Sequence, residues 1–130
     1  MAICFHEEKR IFQLDTKNST YLIGLTPEGY LGHIYYGRKL HKEVNACLLR
    51  TAEAPFTPSV NKREKVSFMD SFPMEYPVGG IGDYRESCLN VRNELGQMGC
   101  ELLYQSFEVY QGKKRLEGLP ASFGSEGEVE

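Results

Sequence analysis

Between Ala2 and Tyr36, short runs of β-branched and aromatic residues are separated by turns too brief for anything but a chain reversal. A parallel crossover needs a dozen or more residues, so these runs dictate antiparallel pairing. Helical periodicity is almost absent along the whole chain. Ala2–Phe5 and Arg10–Thr16 read as strands joined by the charged turn His6-Glu7-Glu8-Lys9, and Ser19–Leu25 follows after an Asn18-Ser19 turn. In the second run Ile11, Gln13 and Asp15 alternate with Phe12 and Leu14, which predicts one apolar and one largely wet face. Thr26-Pro27-Glu28-Gly29 is a turn with a mechanism: proline presets φ and glycine supplies the permissive site. Tyr30–Tyr36 then reads as a fourth strand. Strict alternation places Tyr30, Gly32, Ile34 and Tyr36 on one face and Leu31, His33 and Tyr35 on the other, with Gly37 closing the block.

The pattern is lost from Arg38 to about Lys65, where the chain is mixed in charge and carries Pro55 and Pro58. So long a connection inside a small domain is usually functional or disordered. Ala46–Leu49 reads as a brief strand or helical turn, and Val66–Met69 as a short strand. Further on, Cys88–Arg92, Glu101–Tyr110 and the start at Leu116–Leu119 read as strands, with turns at Asn93–Gly96 and Gly112–Lys114. The tail from Ser122 to Glu130 is acidic and rich in small residues. The expected fold is all-β: an antiparallel β-sandwich or part of one.

With 130 residues, 41% of them hydrophobic and 25% charged, the chain fits a single globular domain. A net charge of −3 without a stripe of Lys and Arg argues against nucleic acid as a partner. No apolar run approaches the ~20 residues needed to cross a bilayer, and the N-terminus lacks the layout of a signal peptide. The expected location is therefore the cytoplasm, with no membrane partner. Cys4, Cys47, Cys88 and Cys100 lack zinc-like spacing and are expected as reduced thiols. His6, His33 and His41 do not cluster, so no metal is expected, and His33 reads as a packed or half-buried ring. Asn18-Ser19-Thr20 matches a glycosylation acceptor but without secretion is only a turn.

The stiffest segment is Pro73-Met74-Glu75-Tyr76-Pro77-Val78-Gly79-Gly80-Ile81-Gly82-Asp83-Tyr84-Arg85. Its glycines tolerate positive φ or close backbone approach, and Pro77 holds Tyr76 extended. Asp83 and Arg85, two apart, would share one face of a strand, where carboxylate and guanidinium can pair. The plain reading is a crossover between sheets. Gly80-Ile81-Gly82 lacks the third glycine and following helix of a dinucleotide site, so no such cofactor is expected. Retaining sugar hydrolysis needs two carboxylates about 5 to 5.5 Å apart. Glu53, Asp70, Glu75, Asp83 and Glu86 supply candidates that linear order cannot pair. Eight tyrosines without a tryptophan suit either sugar stacking or ordinary sheet packing.

Three blocks in register carry a resemblance. Thr20-Tyr21 with Gly29-Tyr30-Leu31-Gly32-His33-Ile34-Tyr35-Tyr36-Gly37 resembles the opening hairpin of the glycoside hydrolase family 36 α-galactosidases. Glu75-Tyr76-Pro77 with Gly80-Ile81-Gly82-Asp83-Tyr84-Arg85 is similar to the signature of that family's N-terminal domain. Gly112-Lys113-Lys114-Arg115-Leu116-Glu117-Gly118-Leu119-Pro120-Ala121 resembles a third block. The resemblance spans Met1 to about Phe123. It implies a domain over 1–123 that is part of a β-supersandwich, with 124–130 an acidic tail at a point of truncation. It also implies a bacterial, cytoplasmic, cofactor-free parent enzyme that removes terminal α-galactose from melibiose and raffinose-type sugars with retention. The parent's catalytic aspartates belong to a downstream barrel, so this chain should be catalytically silent. Implied partners are that barrel, neighbouring subunits and α-galactosides. Phe56-Thr57-Pro58 is similar to an element ending a loop that reaches a neighbouring active site, which makes Glu53 the acidic residue offered to substrate in trans. Glu75, Tyr76, Pro77, Gly80, Gly82, Asp83 and Arg85 are expected as a structural or interface motif. The rival reading is a free-standing carbohydrate-binding or protein-interaction β-module.

Overall fold

The structure is a computed structural model that describes residues 2–41, 44–47, 49, 69–80, 82–110, 112 and 117–120. Four strands, β1 (Ala2–His6), β2 (Ile11–Asp15), β3 (Ser19–Leu25) and β4 (Leu31–Arg38), form an antiparallel meander in the order β1-β2-β3-β4. The expected all-β, antiparallel class is what the chain adopts. Each reversal has a local cause. Between β1 and β2 a single 3-10 turn, Glu7–Lys9, ends at Arg10, whose φ of 54° lets its amide return to Glu7 O. Between β2 and β3, Thr16 Oγ1 accepts from the amides of Asn18 and Ser19. Between β3 and β4, Gly29 takes φ 99° and its amide donates to Thr26 O, while Thr26 Oγ1 accepts from Tyr30 N.

A β-bulge decides how β4 presents its side chains. Leu22 pairs with Tyr35 but Ile23 pairs with His33, leaving Ile34 as the extra residue. Ile34 and Tyr35 therefore both lie against the core formed by Ile11, Leu22 and Val44. Tyr36 is moved to the other face, where its ring meets Tyr21 edge-on at 5.8 Å, and His33 lies 5.5 Å from the same Tyr21 ring. The strict alternation expected over Tyr30–Tyr36 is thus broken at one residue, because a bulge inserts a position without a partner. Gly37 does not end the block; β4 runs through it to Arg38.

The sheet is covered on both sides. On one face Gly24 and Gly32 leave room for neighbouring side chains: a Cβ at Gly24 would meet Leu49 and Ile34 closer than 3 Å, and one at Gly32 would meet Leu49 and Phe72. Tyr30, Met69 and Phe72 form a second buried cluster beside this one. Each fully buried aliphatic or aromatic side chain contributes about 1.5–3 kcal/mol relative to exposure. The expected wet face of β2 is a correction: Ile11 is fully buried, and Gln13 and Asp15 are half-buried in a hydrogen-bonded row. His6 Nε2 bonds Gln13 Oε1 at 2.8 Å, Gln13 Nε2 donates to Asp15 Oδ2, and Thr20 Oγ1 donates to Asp15 Oδ1 at 2.6 Å. Pairing along the row satisfies the polar atoms, so that face can be covered.

The opposite face is crossed by residues 101–110. Phe5 and Phe12, with ring centroids 4.4 Å apart, pack against Phe107, and Phe12 also meets Tyr104. The strand expected over Glu101–Tyr110 does not form. Tyr104 N donates to Gly29 O, and no ladder follows among the described residues. Cys88–Arg92 likewise forms no strand, and Glu117–Leu119 lies in a turn. Met69 is in a turn and Val66, Ser67 and Phe68 lie outside the described residues, as does the 124–130 tail. The Asn93–Gly96 turn does form, with Gly96 N donating to Asn93 O. Near Ala46 the chain turns, Leu49 N donating to Ala46 O.

Candidate functional site

The glycine-rich segment begins as an addition to the sheet. His33 N donates to Pro73 O at 2.7 Å and Glu75 N donates to Leu31 O, so Met74 bridges Gly32 across the free edge of β4. Pro77 is half-buried and its carbonyl accepts from Cys88 N, closing the segment into a large loop. Tyr76 remains half-exposed, its hydroxyl 3.5 Å from Cys88 O. Gly80 sits where a Cβ would stand 2.2 Å from the carbonyl oxygen of Cys100, a backbone atom that cannot move aside. Gly82 takes φ 84°, the left-handed region that glycine reaches without steric cost.

Asp83 and Arg85 fasten this loop. The Asp83 side chain is 2% exposed, and its Oδ1 accepts from Arg85 Nε at 2.8 Å and from Arg85 N at 3.3 Å. Arg85 then reaches further: Nη1 donates to Phe72 O and Nη2 to Met69 O. One guanidinium thus ties a carboxylate to two carbonyls from the turn where the segment starts. The sequence spacing anticipates this pair, but not its geometry. No strand forms here; the carboxylate instead folds back over the backbone two residues on, a local bond that Asp favours in turns. Asp83 Oδ2 is buried without a hydrogen-bond partner among the described residues.

The cavity walled by Asp83, Tyr30, Gly80 and Cys100 measures about 10 Å³. That is the space of about one water molecule, so it admits no sugar ring. Tyr30 Oη donates to Glu101 Oε1 there, and burial, then the Glu101 bond and charge, push the Tyr30 hydroxyl well above its ordinary pKa. Sequence reasoning missed this pair because 71 residues separate its members. It also missed Glu75 facing His33, 3.8 Å from Nδ1 to Oε2. Loss of hydration raises the Glu75 carboxyl above its ordinary value, and a contact that long does not offset it.

Glu53, Phe56-Thr57-Pro58 and Ile81 lie outside the described residues. The other expected motif residues, Glu75, Tyr76, Pro77, Gly80, Gly82, Asp83 and Arg85, are brought into one loop. Among the described residues no three His, Cys, Asp or Glu side chains converge as a metal site, and no helix is long and apolar enough to cross a membrane. Cys4, Cys47, Cys88 and Cys100 are free thiols.

The profile described as the glycosyl hydrolase family 36 N-terminal domain matches residues 29–130. The chain is 39% identical over its whole length to the bifunctional alpha-galactosidase/sucrose kinase AgaSK of Mediterraneibacter gnavus, of which it covers 14%. It is 30% identical over 95% of its length to the alpha-galactosidase Mel36A of Lactobacillus acidophilus, covering 17% of that protein. Among solved structures, the family 36 alpha-galactosidase AgaB of Geobacillus stearothermophilus superposes with a TM-score of 0.81 at 32% identity, over 95% of this chain and 17% of that one. The chain therefore spans about one seventh to one sixth of the proteins it matches. A shared fold and a profile match across most of the chain agree, and the chain belongs to the glycosyl hydrolase family 36 N-terminal domain family.

Proposed function

We propose that this chain is the non-catalytic N-terminal β-domain of an α-galactosidase that hydrolyses terminal α-galactosides such as melibiose and raffinose. The observation that carries this reading is the match of nearly the whole chain to a small part of family 36 enzymes. On this reading the domain supports a downstream catalytic barrel and the rim of its active site, in a cytoplasmic oligomer. The exposed apolar residues of its second half, Leu95, Leu102, Leu103, Phe107 and Val109 among them, fit burial against the remainder of such an enzyme.

The Asp83–Arg85 clamp has a structural part in this scheme. Its carboxylate is engaged and buried, and the cavity behind it is too small for substrate. Glu75 and Pro77 are half-buried in the same loop, and the exposed Tyr76 between them is available to a neighbouring subunit or domain. Glu53 is the one residue assigned to sugar, its carboxylate accepting from two adjacent hydroxyls of a galactoside held in a neighbouring subunit.

The test is turnover of p-nitrophenyl α-galactoside and raffinose by the natural full-length protein and by residues 1–130. Hydrolysis by the long form and none by the short one is expected. Turnover by the 130-residue chain in pure form would overturn the assignment. Saturable binding of galactose or raffinose by the short chain would favour a free-standing carbohydrate-binding module instead.

A further inference from the structure

We infer that the concavity between the β2–β3 turn and the end of β4 binds a phosphate-type oxyanion, free or as an ester. It is an open concavity of about 480 Å³, lined among the described residues by Lys17, Asn18, Arg38, Lys39 and His41. Four of these five residues are basic and none is acidic, on a chain whose net charge is −3. The fold, not sequence proximity, assembles them. Lys17 and Asn18 occupy the β2–β3 turn, whose shape is set by the two amides that Thr16 Oγ1 accepts. The register Ser19↔Arg38 brings the end of β4 beside that turn, and Lys39 N donates to Asn18 O at 2.9 Å. Lys39 Nζ donates to Thr16 O at 3.2 Å, which holds its ammonium group at the pocket.

Among the described residues no carboxylate neutralises this cluster. The ion pairs among the described residues are His33 with Glu75 and Arg85 with Asp83, and neither involves a pocket residue. Asp15, two residues before Lys17, is engaged by Gln13 and Thr20, and Glu43, two residues after His41, lies outside the described residues. Like charges gathered around an open concavity repel one another, and an oxyanion seated between them relieves that repulsion. Arg38 offers a planar fork of donors, Lys17 a mobile point charge, and Asn18 and His41 neutral-capable donors. A phosphate group has three or more acceptor oxygens for such a convergent set, where a carboxylate has two. The concavity is open to solvent, so the organic part of an ester is accommodated as well. Five residues around one hollow are not the extended basic stripe that a nucleic acid requires.

Isothermal titration of the natural full-length protein with sodium phosphate, glucose 6-phosphate and glucose, at ionic strength held constant with sodium chloride, tests the site. Saturable binding of phosphate or of glucose 6-phosphate is expected, with no heat from glucose. Binding should weaken about tenfold or more in a Lys17→Ala/Arg38→Ala variant of unchanged Tm, since charge-assisted bonds are lost. Tighter binding of glucose 6-phosphate than of phosphate identifies an ester as the occupant, and equal affinities identify free phosphate. No saturation by either probe, or undiminished binding in a variant whose Tm is unchanged, would overturn the inference. Neither result depends on whether the protein hydrolyses galactosides.

Discussion

Asp83 shows how one residue can hold a long loop. Its carboxylate is buried, yet its partner Arg85 is 37% exposed at the side chain, so the pair is only partly removed from water. Solvent screening lowers the worth of such a pair below that of a fully buried one. The geometry adds what charge does not, because the same guanidinium also satisfies the carbonyls of Phe72 and Met69. Asp83→Ala in the full-length protein is expected to cost about 1–3 kcal/mol, measured as a lower urea midpoint, by leaving these donors unaligned. An Asp83→Ala protein of unchanged stability that had lost only turnover would contradict the structural role. Glu75 carries the pH dependence at this scale. Its carboxyl titrates higher in the folded chain than its ordinary 4.5 because burial disfavours the charged form. The folded state then holds more protons than the unfolded state above pH 4.5, and stability falls as pH rises through that window. Glu75→Gln should remove this term, so the Tm difference in favour of the variant should grow from pH 4 to pH 7. A pH-independent difference would show that the His33 contact offsets the burial.

At the scale of elements, the bulge in β4 and the segment 101–110 organise the two faces of the sheet. The bulge lets β4 give both Ile34 and Tyr35 to one face while sending His33 and Tyr36 to the other. The crossing segment is held less by its backbone than by rings, with Phe12 touching Phe5, Tyr104 and Phe107. Phe12→Ala removes all three contacts at once. The expected loss is about 2–4 kcal/mol, read from thermal or urea unfolding, with the greater part arising from the aromatic cluster. Phe107→Ala in the same background should then cost less than it does alone, since its ring contact with Phe12 is already lost and only that with Phe5 remains. Additive losses would mean that residues 101–110 are fixed by something other than this cluster.

For the whole molecule, the contrast is between a sheet covered on both faces and a second half rich in exposed apolar side chains. Leu95 is 84% exposed and Met98 56%, and Leu103, Phe107 and Val109 follow. Extended backbone with apolar side chains and no ladder partner invites pairing with another chain. Residues 1–130 expressed alone should therefore associate, and light scattering should report a mass above 14.8 kDa that rises with concentration. A strictly monomeric chain over a wide concentration range would show that the exposed run is tolerated in water and is no interface.

The meander was legible in the residues because its causes are local. Alternating runs, the Pro27-Glu28-Gly29 turn and short reversals leave an antiparallel sheet as the one arrangement that satisfies the backbone. Ser19–Leu25 was readable to the residue, and the pairing of Asp83 with Arg85 to the partner, since both depend on neighbours a few positions away. Tertiary structure decided what local chemistry cannot: the bulge that reverses Tyr36, the burial of Ile11 on a face that reads as wet, and the bond from Tyr30 to Glu101. It also decided that residues 101–110, strand-like in pattern, form no strand. A ladder is a property of two segments, and a sequence states the readiness of only one of them.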